Sequence, residues 1–281
     1  MVAKKRPARR RSGALVPGSD GLPVRLVREW NNEKLSYVEK YVEMFSTAMK
    51  NKWPRRVYID LFAGPGMSLI EDTGEEVPGS PMLAVEARTP FSDFFFNDAG
   101  RRESAALAQR LTHRQVHASV TQLDCNMAAR DVASLFTGQP KTIGLAFIDP
   151  NGFKIGLDSI AEMTAGRTID LIITVMTGYM KRYMREPGLA ASMDRFFGFT
   201  DWRELISGEA HKAPTYGALL EKYKRSLRSL GYTHVNDTVR VPNTRGATIY
   251  HLVFASRHPL GGKFFEEVVK KQHSGQRRLA L

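Results

Sequence analysis

Cysteine is almost absent: Cys125 is the single one in 281 residues. One thiol can form neither an internal disulfide nor a multi-cysteine zinc site, so the chain reads as a protein of a reducing compartment, the cytoplasm. Long apolar runs are missing as well. The densest stretch, 169–176, is strand-sized and far short of the ~20 residues that cross a bilayer, so no membrane partner is expected. Nor does an apolar block follow the basic residues near the start, which argues against a secretory signal. Acidic residues are scarce too. There are 29 Asp and Glu against 41 Lys and Arg, a net charge of +12. Lys4, Lys5, Arg6, Arg9, Arg10 and Arg11 supply half of that surplus. Such a surplus favours nucleic acid, RNA or DNA, because each neutralised phosphate releases counterions. A plain protein with a basic tail is the other reading of the same numbers. With 42% hydrophobic and 25% charged residues, the chain is not disordered throughout, a coiled coil or collagen-like.

Residues 1–24 are rich in Arg, Pro, Gly and Ser without apolar periodicity and are expected to be disordered. Residues 25–281 then read as one α/β domain. Tyr37, Val38, Tyr41, Val42, Phe45, Ala48 and Met49 recur at three- and four-residue steps, which predicts an amphipathic helix over about 28–50. After Pro54 short β-rich runs (57–60, 94–98, 116–124, 142–149, 170–176) alternate with helical stretches (82–88, 101–113, 127–136, 157–165). That alternation predicts a mostly parallel, Rossmann-like sheet with helices on both faces. Residues 71–81 read as a loop insertion and about 178–230 as a helical one. Two runs, 234–241 and 247–256, read as an antiparallel hairpin before a last helix near 263–272. Five βα units closed by a hairpin match the sheet of class I methyltransferases better than a nicotinamide-binding sheet.

The sharpest motif is Val57-Tyr58-Ile59-Asp60-Leu61-Phe62-Ala63-Gly64-Pro65-Gly66. A strand ends in an acid, and two glycines let backbone N–H groups approach a ligand that any Cβ would push away. Asp60 decides which ligand: it would repel a pyrophosphate and attract the ammonium and sulfonium of S-adenosyl-L-methionine. Position 69 is Leu, so the run is not G-x-G-x-x-G. Asp98 and Asp124 fall where a doubly wound sheet exposes ligand-facing residues. Asp98 can accept the ribose hydroxyls and Asp124 the adenine amino group, although Asp124 or Asn126 serves equally well as a helix N-cap. Cys125 lacks an adjacent His or Lys to activate it and reads as a packed residue rather than a nucleophile.

After the fourth strand comes Asp149-Pro150-Asn151-Gly152-Phe153. This is good β-turn chemistry, and the same turn can grip an exocyclic amine through Asp149 while Phe153 stacks on its base. Amino-directed methyltransferases often carry Asp-Pro-Pro-aromatic here, so Asn151 and Gly152 displace the aromatic by one position. The aromatic and basic residues of 179–203, Lys181 and Arg182 among them, suit a clamp on single-stranded nucleic acid, a lid or core packing alike. His113 and His117 have no third ligand, so no metal site is expected, and neither a zincin motif nor a nucleophile elbow occurs.

Trp30 with Lys34-Leu35 and Tyr41, the Asp60 strand and its Gly64 turn, Gly79-Ser80-Pro81, Phe147-Ile148-Asp149-Pro150, Tyr250 to Ser256 and His258-Pro259-Leu260-Gly261 resemble, in that order, the three-Cys-motif partner proteins (TcmP). The likeness runs over about 28–272. The Gly-Ser-Pro and Asp-Pro elements are also similar to ribosomal-RNA adenine N6 methyltransferases. The resemblance implies a methyltransferase-like fold, S-adenosylmethionine binding, and a separate partner protein with a three-cysteine motif, an iron–sulfur or radical enzyme. Phe62, Ala63, Ser80 and Cys125 then complete the expected cofactor site with Asp60, Gly64, Gly66, Asp98 and Asp124. Asp149, Pro150, Asn151 and Phe153 form the expected catalytic turn. Transfer of a methyl group to a nucleic-acid amine, adenine N6 above all, is the activity this reading favours; a non-catalytic scaffold for the partner is the alternative.

Overall fold

The computed structural model describes residues 13–139, 141–150, 152–180, 186–207, 216–242 and 246–276. Asn151, Lys181, Arg182 and the basic residues Lys4 to Arg11 lie outside the described residues.

Burial on both faces defines the central strands. In β3 (Arg55–Asp60) Val57 and Ile59 join one apolar cluster and Tyr58 the other. β8 (Thr142–Ile148) and β9 (Ile169–Val175) repeat the division: Ala146, Ile148, Leu171 and Ile173 on one side, Leu145, Phe147 and Ile172 on the other. Strands of this kind need helices above and below, and the helical crossovers make them parallel. β6 (Asp93–Asn97) and β7 (Ser119–Thr121) extend the sheet beyond β3, both parallel to it. At the other edge β11 (Thr248–Ser256) runs antiparallel to β9 and pairs with β10 (His234–Pro242). The order is β10-β11-β9-β8-β3-β6-β7, the mostly parallel sheet with a terminal hairpin that the sequence predicts.

One face is covered by α1 (Trp30–Met49), α2 (Ser80–Val85), α3 (Arg101–His113) and the last helix, α9 (Pro259–Gln276). The other carries α4 (Cys125–Asp131), α5 (Leu157–Thr164), α6 (Pro187–Phe197), α7 (Trp202–Ser207) and α8 (Gly217–Ser229). The insertion after β9 is thus helical, and Met193, Phe196, Phe197, Trp202 and Tyr223 pack in the core. The strand expected over 116–124 is shorter than its pattern. The buried Asn97 side chain donates to Leu61 O and Leu123 O and accepts from Leu123 N and Thr121 Oγ1, replacing the ladder there with side-chain pairing.

Residues 13–24 depart from expectation. They are built into a second sheet, of order β1-β2-β4-β5, comprising β1 (Leu15–Pro17), β2 (Pro23–Val27), β4 (Met67–Ile70) and β5 (Glu76–Pro78). The cause is a long-range ion pair absent from any local pattern. Arg110 of α3, 1% exposed, makes two 2.8 Å bonds to the Asp20 carboxylate and donates to Pro23 O and Pro65 O. A buried guanidinium held by a carboxylate and two carbonyls fixes the segment against the glycine turn. Residues 71–81 are likewise more than a loop: β5 returns antiparallel to β4, and Gly79 N–H closes the excursion on Gly66 O at 2.8 Å.

Candidate active site

Three acids stand at the carboxyl ends of neighbouring strands: Asp60 ends β3, Asp98 follows β6 and Asp149 follows β8. Between them the chain turns through Gly64 (φ +62°) and Gly66 (φ +90°), left-handed conformations that glycine adopts without steric cost. A Cβ on Gly66 would come within 3.0 Å of the Leu107 side chain. The turn leads into β4 rather than directly into a helix; α2 begins only at Ser80, after the excursion.

That closure brings Ser80 to Asp60. Its hydroxyl donates to Asp60 Oδ2 at 2.5 Å, and Phe62 N–H donates to Oδ1 at 3.0 Å. Asp60 has no solvent exposure. Burial pushes its carboxyl from 3.8 up to about 7, against the two hydrogen bonds and with help from the negative charges of Asp149 and Asp98. Asp98 is occupied by the protein itself: Gly64 N–H (2.9 Å) and Gly100 N–H (2.8 Å) donate to it, and Arg25 Nη2 lies 3.3 Å away. Arg25 also approaches Glu103 at 3.7 Å, while its buried Nε has no partner. Asp149 forms an ion pair with Lys34 of α1, whose ammonium lies 5.3 Å from the Tyr250 ring centroid. Trp30 packs edge-on to that ring at 5.7 Å and accepts the Tyr250 hydroxyl on its carbonyl.

Phe62, Ala63, Gly64, Gly66, Ser80 and Asp149 line one cleft together with Arg25, Asn31 and Leu35. The cleft is small, about 70 Å³, because the second sheet and the start of α1 roof it. Other expected site residues lie elsewhere. Asp124 caps α4, accepting from the backbone and side-chain N–H of Asn126 at 2.9 Å each, so the capping alternative is the one observed. Cys125 is buried, and burial with the neighbouring Asp124 charge raises its thiol to about 11, which leaves it unreactive. Phe153 corrects the sequence reading: it is 1% exposed and packs on Phe196 and Phe197 at 5.1 and 5.6 Å between centroids, so it offers no face to a base. Gly152, just before Phe153, takes φ +110°, a left-handed conformation open to glycine. Among the described residues no group of three or more His, Cys, Asp or Glu is placed to hold a metal ion, and no helix is long and apolar enough to cross a membrane.

Arg25 and Lys34 are the site residues that sequence reasoning passed over. Lys34 left a signal: it falls on the apolar stripe of α1, one turn before Tyr37 and Val38, where a charge needs a partner. Arg25 left none, since its neighbours read as the margin of a disordered tail.

A Legionella pneumophila protein of family DUF519 superposes with a TM-score of 0.53 at 13% identity, over 84% of this chain and 92% of that one. What the two share is the fold, a mostly parallel α/β sheet with helices on both faces. An O-methyltransferase of Thermotoga maritima (TM-score 0.40, 10% identity, 88% of this chain and 78% of that one) also matches. So does a ribosomal protein L11 methylase of Lactobacillus delbrueckii (0.35, 12%, 77% of each chain). No protein-family model and no curated protein matches the sequence, so the resemblance to three-Cys-motif partner proteins rests on its motifs alone.

Proposed function

We propose that this chain is an S-adenosyl-L-methionine-dependent methyltransferase acting on a nucleic-acid amine, with adenine N6 as the target. The observation that carries the reading is one constellation: a solvent-free acid at the end of β3, the left-handed glycine turn beside it, and Asp98 and Asp149 on the flanking strands. The strand order reverses between β3 and β8, and open α/β sheets bind ligands in the crevice at such a point.

The residues present fit the cofactor. Asp60 offers a buried negative charge to its ammonium and sulfonium. Gly64 and Gly66 keep open a strip of backbone that side chains would fill. The unpartnered Nε of Arg25 is a donor for the carboxylate of its methionine end. When bound, that group supplies an electrophilic methyl. The rest falls to positioning. Arg25 has to leave Asp98, which widens the cleft and frees the carboxylate for ribose hydroxyls. Lys34 holds Asp149 in position, so that Asp149 accepts a hydrogen bond from the target amine and takes the proton the amine sheds. Trp30, partly exposed at the head of α1, replaces Phe153 as the surface on which the base stacks. The basic surplus, including Lys4, Lys5, Arg6, Arg9, Arg10, Arg11, Lys181 and Arg182, draws in the polyanion.

Isothermal titration with S-adenosylmethionine and transfer of labelled methyl to cellular RNA and DNA test the reading. Asp149→Ala should keep cofactor binding and lose transfer; no binding at millimolar cofactor by folded protein would overturn it. The hold of Lys34 on Asp149 and the burial of Phe153 favour a second reading, a cofactor-binding but non-catalytic subunit of a three-cysteine-motif partner protein. Cofactor binding without transfer to any nucleic acid, partner present or absent, would select it.

A further inference from the structure

A larger cavity lies at the opposite pole of the sheet. Where β8 and β9 begin and β11 ends, a hollow of about 490 Å³ opens between the end of α1 and the start of α9. The seven residues of β8, roughly 20 Å of strand, separate it from the crevice above. Its size falls within the ~300–1,000 Å³ range of small-molecule sites.

The lining divides by chemistry. Phe45, Trp53 and Phe264 give aromatic walls, Lys52 and Lys141 stand exposed at the rim, and Asp170 is buried at the floor. The Asp170 carboxylate already receives the Tyr41 hydroxyl at 3.0 Å, so it is held in place. Lys141 Nζ lies 4.8 Å from the Trp53 ring centroid, and among the described residues neither rim lysine has a carboxylate partner. Arg257, also at the rim, is committed elsewhere: it donates to Thr164 O and Leu230 O and covers the Tyr232 ring.

We propose that this cavity binds a purine nucleoside monophosphate. The base stacks on Trp53 and turns a ring or amino N–H toward Asp170, and the phosphate meets Lys52 and Lys141 at the mouth. An aromatic acid would suit the walls and lysines yet bring Asp170 no donor. Inorganic phosphate would leave the aromatic walls bare. The proposal is independent of the methyltransferase reading.

The test is calorimetric titration of the full chain with adenosine and guanosine monophosphates, with and without saturating S-adenosylmethionine. At least one nucleotide should bind whether or not S-adenosylmethionine is present, and its nucleoside should bind at least tenfold more weakly. Trp53→Ala and Lys141→Glu should each weaken binding about tenfold, about 1.4 kcal/mol. Lys141→Glu should not shift the melting temperature much, since that side chain is exposed at the rim. The proposal falls if neither nucleotide gives heat at millimolar concentration, or if both variants bind as the parent does. Displacement by S-adenosylmethionine would place the nucleotide in the crevice instead, and equal competition by inorganic phosphate would reduce the site to an anion contact; either outcome overturns it.

Discussion

Asp60→Asn should stabilise the ligand-free protein at alkaline pH while removing its affinity for a cationic ligand. With the folded-state carboxyl near 7 and an unfolded value of 3.8, the native protein holds a proton there that the unfolded chain has lost. Stability from this group is therefore complete below about pH 4 and declines as pH rises, until it levels off above pH 7. Three pKa units correspond to about 4 kcal/mol at the plateau. Between pH 5 and pH 8 the same arithmetic gives a loss of about 2–3 kcal/mol. A carboxamide cannot ionise, so the gap between variant and parent in urea-unfolding free energy should move by that amount in the variant's favour across the interval. Because every other titratable group is common to both proteins, the difference of differences isolates position 60. The amide can still receive Ser80 Oγ–H on its oxygen, so only the bond from Phe62 N–H is at risk, a pH-independent cost of about 1 kcal/mol. S-adenosylmethionine binding by the parent should strengthen as pH rises through 7, and that dependence should vanish in Asp60→Asn. A stability gap that stays constant from pH 5 to pH 8 would refute the claim that a buried charge is formed there.

Other outcomes follow from the same geometry. Lys34→Met strands the Asp149 carboxylate and should lower unfolding free energy by about 2 kcal/mol, with most of it recovered in Lys34→Met/Asp149→Asn, as urea midpoints will show. Phe153→Ala empties a site among aromatic rings and should cost about 3–5 kcal/mol in thermal or urea unfolding, whereas a base-stacking residue would lose transfer and keep its stability. Cys125 should alkylate at pH 8 on the order of a hundredfold more slowly in native than in unfolded protein, followed by mass spectrometry. Deleting residues 1–12, which leaves β1 intact, should weaken nucleic-acid binding and lower the log–log salt slope by about 4–5.

What the sequence made legible was whatever is decided within a few residues. The alternation of Val57, Tyr58 and Ile59 marks a strand buried on both faces, and the helix at 101–113 has its predicted ends because its apolar positions and its stop are local. The glycine turn was readable for the same reason: left-handed backbone at Gly64 and Gly66 is a property of those residues themselves. Even the ambiguity at Asp124 was correctly drawn, since an acid two residues before a donor N–H is always a candidate cap, and the cap is what forms.

What escaped was set by partners far apart in the chain. Arg110 reaches Asp20 across 90 positions, Lys34 reaches Asp149 across 115, and Arg25 reaches Asp98 across 73. Each pair assigns a role that neither residue shows alone. Asp20 sits in a polar, proline- and glycine-containing stretch whose composition says disorder, and only a buried guanidinium from α3 makes it structural. Asp98 and Asp149 sit at strand ends suited to gripping a ligand, yet each is held by a cation from the segment the sequence consigned to the margin or to a helix. Phe153 fails by the converse route: its turn is local and readable, but the aromatic cluster of α6 that receives its ring lies more than forty residues on. The positions where local reading and tertiary partnership disagree are therefore concentrated around one crevice. Its roof, β2 and the head of α1, carries the cations that occupy Asp98 and Asp149, so a ligand that uses either acid has to compete with Arg25 or Lys34 for it.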